Sequence, residues 1–175
     1  MSKLNQSLEL RQLQQQQLKQ VSRAKAKAAY DLRQAQKYSN EAIWCAWFDG
    51  SAHPNPGACG AGVVLRAPDG RVWEWHRSLG WGNSSEAEYQ ALILALEMAL
   101  PLVMADACHE LLVLGDSRVV LDDVRLPSER SAPSLRHWHQ LANTAMAAYP
   151  TIELRWLPRH RNADADRLSQ CFRAV

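Results

Sequence analysis

Asp49, Glu88, Asp116 and Asp166 are the residues of this chain whose sequence surroundings suit acid chemistry. Asp49 ends a short apolar, aromatic run (44–48) that breaks at once into Gly50, Pro54, Pro56 and Gly57, the pattern of a buried strand leaving a core. Asp116 ends a second apolar run, 111–115. Glu88 falls in the first turn of a strongly helical stretch, and Asp166 in the first turns of the closing helix. If the two apolar runs are neighbouring strands, both aspartates leave the sheet at one edge, about 4.8 Å apart. Carboxylates held that close raise one another's pKa unless cations join them. An oxygen-only set points to Mg²⁺ or Mn²⁺ rather than zinc. Such clusters serve in-line phosphoryl displacement with two ions roughly 3.5–4 Å apart.

Each acid also has a purely structural reading. Asp49 could open a turn, and Ser85-x-x-Glu88 fits a capping box. Asp116 could cap the short helix after it, and Asp166 could favour a helix dipole. Asp164 is a nearby decoy for Asp166. What separates the two readings is whether the four acids meet.

The elements that must bring them together follow from pattern. Three strand-like runs (44–48, 61–66 and 71–79) come first, with a Pro68-Asp69-Gly70 turn between the second and third. In the third, Trp73, Trp75 and Arg77 alternate with Val72, Glu74 and His76, which is the period of two of a strand. Ser84 opens a helix that Pro101 should end. A buried strand (111–115), a brief helix (119–124), a helix (135–149), a fifth strand (152–157) and a closing helix (163–173) complete the chain, with Asn162 placed as the last N-cap. The order β-β-β-α-β-α-α-β-α implies one mixed α/β sheet with helices on both faces.

Composition sets the frame. With 47% hydrophobic and 22% charged residues, one globular domain plus an appendage is expected. No run reads as a membrane span or a secretory signal. Cys45, Cys59, Cys108 and Cys171 lack metal-ligand spacing and suit reduced thiols in a cytoplasmic protein. Residues 1–41 carry eight Lys/Arg against three acids, whereas 42–175 carry twelve against fifteen. We therefore expect a basic, Gln/Lys-rich helical extension over 1–41, serving nucleic-acid contact or self-association, and a catalytic domain over 42–175.

The chain resembles the type 1 ribonuclease H family. The resemblance rests on Phe48-Asp-Gly-Ser51 with Asn55-Pro-Gly57 and Gly60-Ala-Gly62, Ala87-Glu-Tyr89 with Ala91-Leu92, Leu114-Gly-Asp-Ser117, and Leu157-Pro-Arg159 with Asn162 and Ala165-Asp-Arg-Leu168. It implies the ribonuclease H-like fold, a five-stranded mixed sheet, and hydrolysis of the RNA strand of RNA–DNA hybrids to 5′-phosphate and 3′-hydroxyl ends. It also implies two ions, Mg²⁺ or Mn²⁺: Asp49 between them, Glu88 and Asp116 on the leaving-group side, and Asp166 on the water side. Ser51, Asn55, Ser84, Ser85 and Glu88 would read the substrate's 2′-hydroxyls. Ser84-Ser85 stands where many relatives carry paired asparagines, and no basic, Trp-containing protrusion follows Asp116. His160 occupies the loop where some relatives place a mobile histidine. His137 and His139 are not spaced for one helix face, and Trp81 is the tryptophan suited to stacking on nucleic acid. The competing readings are an inactive hybrid-binding module and a nuclease of transposase or integrase type, which usually ends on a catalytic Glu rather than an Asp.

Overall fold

The computed structural model describes Lys19 and residues 43–106, 110–149 and 151–174. The extension expected over 1–41 lies, apart from Lys19, outside the described residues. The unit Ala42–Val175 stands by itself as one body.

Its strands are β1 (Trp44–His53), β2 (Gly57–Arg66), β3 (Val72–Gly82), β4 (Leu111–Gly115) and β5 (Ile152–Trp156). Its helices are α1 (Ser84–Met104), α2 (Arg118–Asp123), α3 (Arg136–Ala147) and α4 (Ala163–Ser169). The sheet order is β3-β2-β1-β4-β5. The first three strands form an antiparallel meander, while β4 runs parallel to both β1 and β5. The β1–β4 ladder ends at Trp47 opposite Leu114. Asp49 and Asp116 each lie two residues beyond that pair, at one edge of the sheet.

The core follows from alternation along the strands. Trp44, Ala46 and Phe48 of β1 and Ala61, Val63 and Leu65 of β2 share a face with Ala91, Leu92, Ala95 and Leu96 of α1. Burying each large side chain here contributes about 1.5–3 kcal/mol. Trp73 stacks on Trp44 with ring centroids 5.7 Å apart, and Trp75 packs beside it. Glu74 and His76 point outward, as the period of two predicts. The opposite face of β1 and β2 is covered by α4.

Several boundaries differ from expectation. β1 runs on through Asp49 to His53 rather than stopping at 48, β2 begins at Gly57 rather than 61, and β3 reaches Gly82 rather than 79, because the antiparallel ladder continues past the glycines. Pro101 lies inside α1, which continues to Met104. A helical proline loses one backbone hydrogen bond and crowds the preceding turn, but the buried Val103 anchors the final turn in the core. The closing helix ends at Ser169 and tightens into a 3₁₀ turn, Cys171–Ala174. By length and composition α1 could cross a membrane, with mean hydropathy 1.4. In the fold half of that window is buried, with Ala91, Leu92, Ala95 and Leu96 in the core.

One polar network pins α1 just beyond Glu88. The buried Tyr89 hydroxyl donates to Asp123 Oδ2 (2.5 Å), Ser131 Oγ donates to the same oxygen (2.8 Å), and the Ala132 N–H donates to Oδ1 (3.2 Å). Against the upward push of burial, these bonds hold the Asp123 carboxyl below its usual range. Tyr89→Phe removes the strongest donor and should destabilise the domain by about 1–2 kcal/mol. Urea unfolding measures it, and an unchanged midpoint would mean the network adds nothing to stability.

Candidate active site

Backbone geometry brings β1 and α1 into contact. A Cβ on Gly50 would fall 2.2 Å from both Ala87 C and Glu88 N, so only glycine lets the helix lie this close. The Gly50 N–H donates to Glu88 Oε2 (3.2 Å). Glu88 does not cap its helix. Asn83 is the cap: its side chain accepts from the Glu86 N–H (3.0 Å), and Glu86 Oε2 accepts from the Asn83 N–H (3.0 Å). The box read from Ser85-x-x-Glu88 therefore sits two residues too late, and Glu88 is free for other work.

Asp116 is likewise not a cap, because Ser117 accepts from Val120 N–H at the start of α2 (3.4 Å). Its Oδ1 accepts from Asn162 Nδ2 (2.9 Å), and the same amide donates to the Phe48 carbonyl (2.8 Å). Asn162 occupies the N-cap position of α4, as expected, and its carbonyl accepts the Asp166 N–H (2.9 Å), but its side chain makes no capping bond. It ties β1 to the carboxylate at the end of β4. The Asp116 carbonyl in turn accepts from Trp156 Nε1 (3.0 Å), and the Arg118 guanidinium lies 4.0 Å from that ring's centroid.

Asp49 is 2% exposed, and its Oδ2 accepts from Ser169 Oγ (2.6 Å). Asp49, Glu88 and Asp116 each place a carboxylate oxygen within 4.8 Å of the others. Asp166 stands outside this group of three. Its Oδ1 pairs with Arg159 (2.5 Å) and its Oδ2 accepts from Gln170 Nε2 (2.9 Å). Burial, then the charges of Asp116 and Asp166, push the Asp49 carboxyl up to about 7, against the Ser169 hydrogen bond and Arg159. Burial, then Asp49 and Asp116, hold Glu88 well above the usual carboxylate range. Three hard oxygens from separate, buried and crowded acids fit a divalent cation, which would offset the burial cost and the repulsion that lift them.

A groove of about 340 Å³ opens beside the acids, lined among others by Ser51, Ser84, Ser85, Glu88, Arg159 and Gln170. Ser51 Oγ donates to the Ser169 carbonyl (2.8 Å). Asn55 is exposed and bonded to Ser84 twice: Nδ2 donates to Ser84 Oγ (3.0 Å), and Oδ1 accepts the Ser84 N–H (3.1 Å). It clasps the β1–β2 turn to the start of α1. His160 is exposed in the turn Arg159–Arg161 and does not line this groove. Its neighbour Arg159 does, a residue the sequence reading passed over although it sits in the quoted Leu157-Pro-Arg159. Ser169 and Gln170 were also missed, since nothing local marks a helical serine as a partner of a distant strand. His137 is exposed, whereas His139 is buried with Nε2 3.0 Å from the Leu126 carbonyl, so the two share no site. Trp81 is 77% exposed at the end of β3.

Comparison with known proteins agrees with this geometry. Residues 47–171 match the family model described as reverse transcriptase-like. Ribonuclease HI of Halobacterium salinarum is 32% identical over 125 residues, covering 71% of this chain and 61% of that protein. Mycobacterial relatives match at 31% identity, and the chain spans 33% of their length. The crystal structure of RNase H1 from Halobacterium salinarum superposes with a TM-score of 0.66 at 28% identity, covering 76% of this chain and 99% of that one. LC11-RNase H1, solved in complex with an RNA/DNA hybrid, gives 0.63 at 27% identity, covering 71% and 92%. A matched span running from β1 to the turn after α4, on a sheet of the same architecture, makes this chain a member of the reverse transcriptase-like family with a ribonuclease H-like domain.

Proposed function

We propose that this chain is an endonuclease that hydrolyses the RNA strand of RNA–DNA hybrids with divalent metal ions, leaving 5′-phosphate and 3′-hydroxyl ends. The observation that carries the reading is the meeting of Asp49, Glu88 and Asp116 within 4.8 Å of one another. Mg²⁺ or Mn²⁺ held there would activate water and neutralise charge on the attacking and leaving oxygens. Asp49, Glu88 and Asp116 would supply the donors, and Asp166, now paired with Arg159, would be the fourth acid available to a cation. Gly50, Asn162 and Ser169 hold the three acids in register through the bonds above. Ser51, Ser84 and Ser85 line the groove where 2′-hydroxyls would be read. Asn55 acts by holding Ser84 in place.

Labelled RNA–DNA hybrid, duplex RNA and duplex DNA, each with Mg²⁺, Mn²⁺ or a chelator, test the reading. Cleavage confined to the RNA of the hybrid and abolished by chelator is expected. Hybrid binding without cutting would leave a binding module, and cutting of duplex DNA would favour the transposase-like reading.

The basic residues of 1–41 are proposed to supply part of the grip that a protrusion after Asp116 would give. Deleting 1–40 should weaken hybrid binding and flatten its salt dependence, because each phosphate contact releases counterions. Unchanged affinity at every salt concentration would leave the extension with self-association, which sedimentation would reveal.

A further inference from the structure

We propose that Ser169 is a positioning residue for the metal site, its hydroxyl holding Asp49 in the orientation that meets Glu88 and Asp116. The inference rests on the nuclease reading of that site and adds a residue to it. Ser169 is fully buried, and its Oγ lies 2.6 Å from Asp49 Oδ2. Among the described residues no other side chain hydrogen-bonds Asp49. The serine is gripped from two sides, since its own carbonyl accepts from Ser51 Oγ (2.8 Å), two residues along β1. Gly62 makes the approach possible: a Cβ there would fall 2.4 Å from Ser169 N. The close seat of α4 on β1 and β2 thus delivers one hydroxyl to one carboxylate.

The plain alternative is a helical serine bonding back to its own preceding turn, which is common. That acceptor exists, the Asp166 carbonyl at 2.9 Å. The Asp49 contact is shorter, and a hydroxyl bonded to an ionised carboxylate is the stronger of the two. With Asp49 ionised, the hydroxyl proton is drawn chiefly to that carboxylate. With one carboxylate oxygen tied, rotation of the group is stopped and the other oxygen is presented in a fixed direction. Ser169 also lies three residues after Asp166, so one turn of helix sets the spacing between Asp49 and the fourth acid.

The test is Mn²⁺ binding by the full chain at fixed pH, followed by the spin-resonance signal of free Mn²⁺. Ser169→Ala should bind Mn²⁺ tenfold or more weakly, the range set by losing a partner that orients a metal ligand. Hybrid cleavage should lose kcat in proportion, with KM for the hybrid within twofold. Mn²⁺ affinity within twofold of the unmodified chain would overturn the role of Ser169 and leave the nuclease reading standing. Failure of the unmodified chain to bind Mn²⁺ would overturn the nuclease reading, and this inference with it. If Ser169→Ala does not fold by circular dichroism, Ser169→Cys carries the comparison: its weak donor should lower affinity in the same direction, and unchanged affinity would overturn the proposal.

Discussion

Asp116→Asn and Glu88→Gln should each lower hybrid cleavage by about a thousandfold while leaving the protein folded. The partners of both side chains explain why the change is clean. Asp116 Oδ1 accepts from Asn162, and Glu88 Oε2 accepts from Gly50 N–H. An amide keeps a carbonyl oxygen for those donors, so the scaffold bonds survive. What it loses is the negative charge and the second acceptor oxygen, which are what a hard divalent ion selects. Helix starts are untouched, because Asn83 with Glu86 and Ser117 do the capping. Circular dichroism should match the unmodified chain, with melting temperature equal or higher in chelator, since each change removes one of several repelling charges. Cleavage within tenfold of normal for either variant would reduce that acid to scaffolding.

These capping details mark where reading the sequence stopped. The end of β4 at Gly115 was legible, whereas β1 runs on past Asp49 to His53; the order β1 beside β4 still brings Asp49 and Asp116 together just beyond the last pair of their shared ladder. Caps were not legible, because Ser, Asn and Glu recur at adjacent positions around 83–88 and a shift of two residues changes which acid is spoken for. Asn162 takes the cap position its neighbours suggested, yet its amide reaches Phe48, distant by 114 residues in sequence. Ser169 and Arg159 share that character, since their partners are set by how α4 and the turn before it lie on the sheet. Pro101 shows the reverse case, a strong local signal overruled by burial of Val103.

Without metal, the folded chain should lose stability as pH rises from about 5 to 8, and Mg²⁺ should restore it. Asp49 titrates at 3.8 when unfolded and near 7 when folded, and Glu88 is also raised in the folded state. A raised carboxyl pKa means that the folded state binds protons more tightly than the unfolded one. Its stabilising contribution is full below the unfolded value and disappears as pH climbs through the folded value. For Asp49 the whole excursion is up to about 4 kcal/mol, enough to move the melting temperature of a domain this size by roughly 10 °C. Asp49→Asn cannot ionise, so its melting temperature in chelator should fall less steeply over the same range, with the buried Glu88 still titrating, and exceed that of the unmodified chain at pH 8. A divalent ion binds only the deprotonated cluster, so it should stabilise strongly at pH 8 and little at pH 5, by about 2.7 kcal/mol when present at a hundred times its dissociation constant. Scanning calorimetry at pH 5, 6.5 and 8, with chelator and with Mg²⁺, measures all of this. A chelated protein as stable at pH 8 as at pH 5 would mean that burial and crowding do not hold these acids protonated as their placement requires. A chelated protein that weakens with pH but gains nothing from Mg²⁺ would keep the crowding and remove the cation, and the hydrolytic mechanism with it.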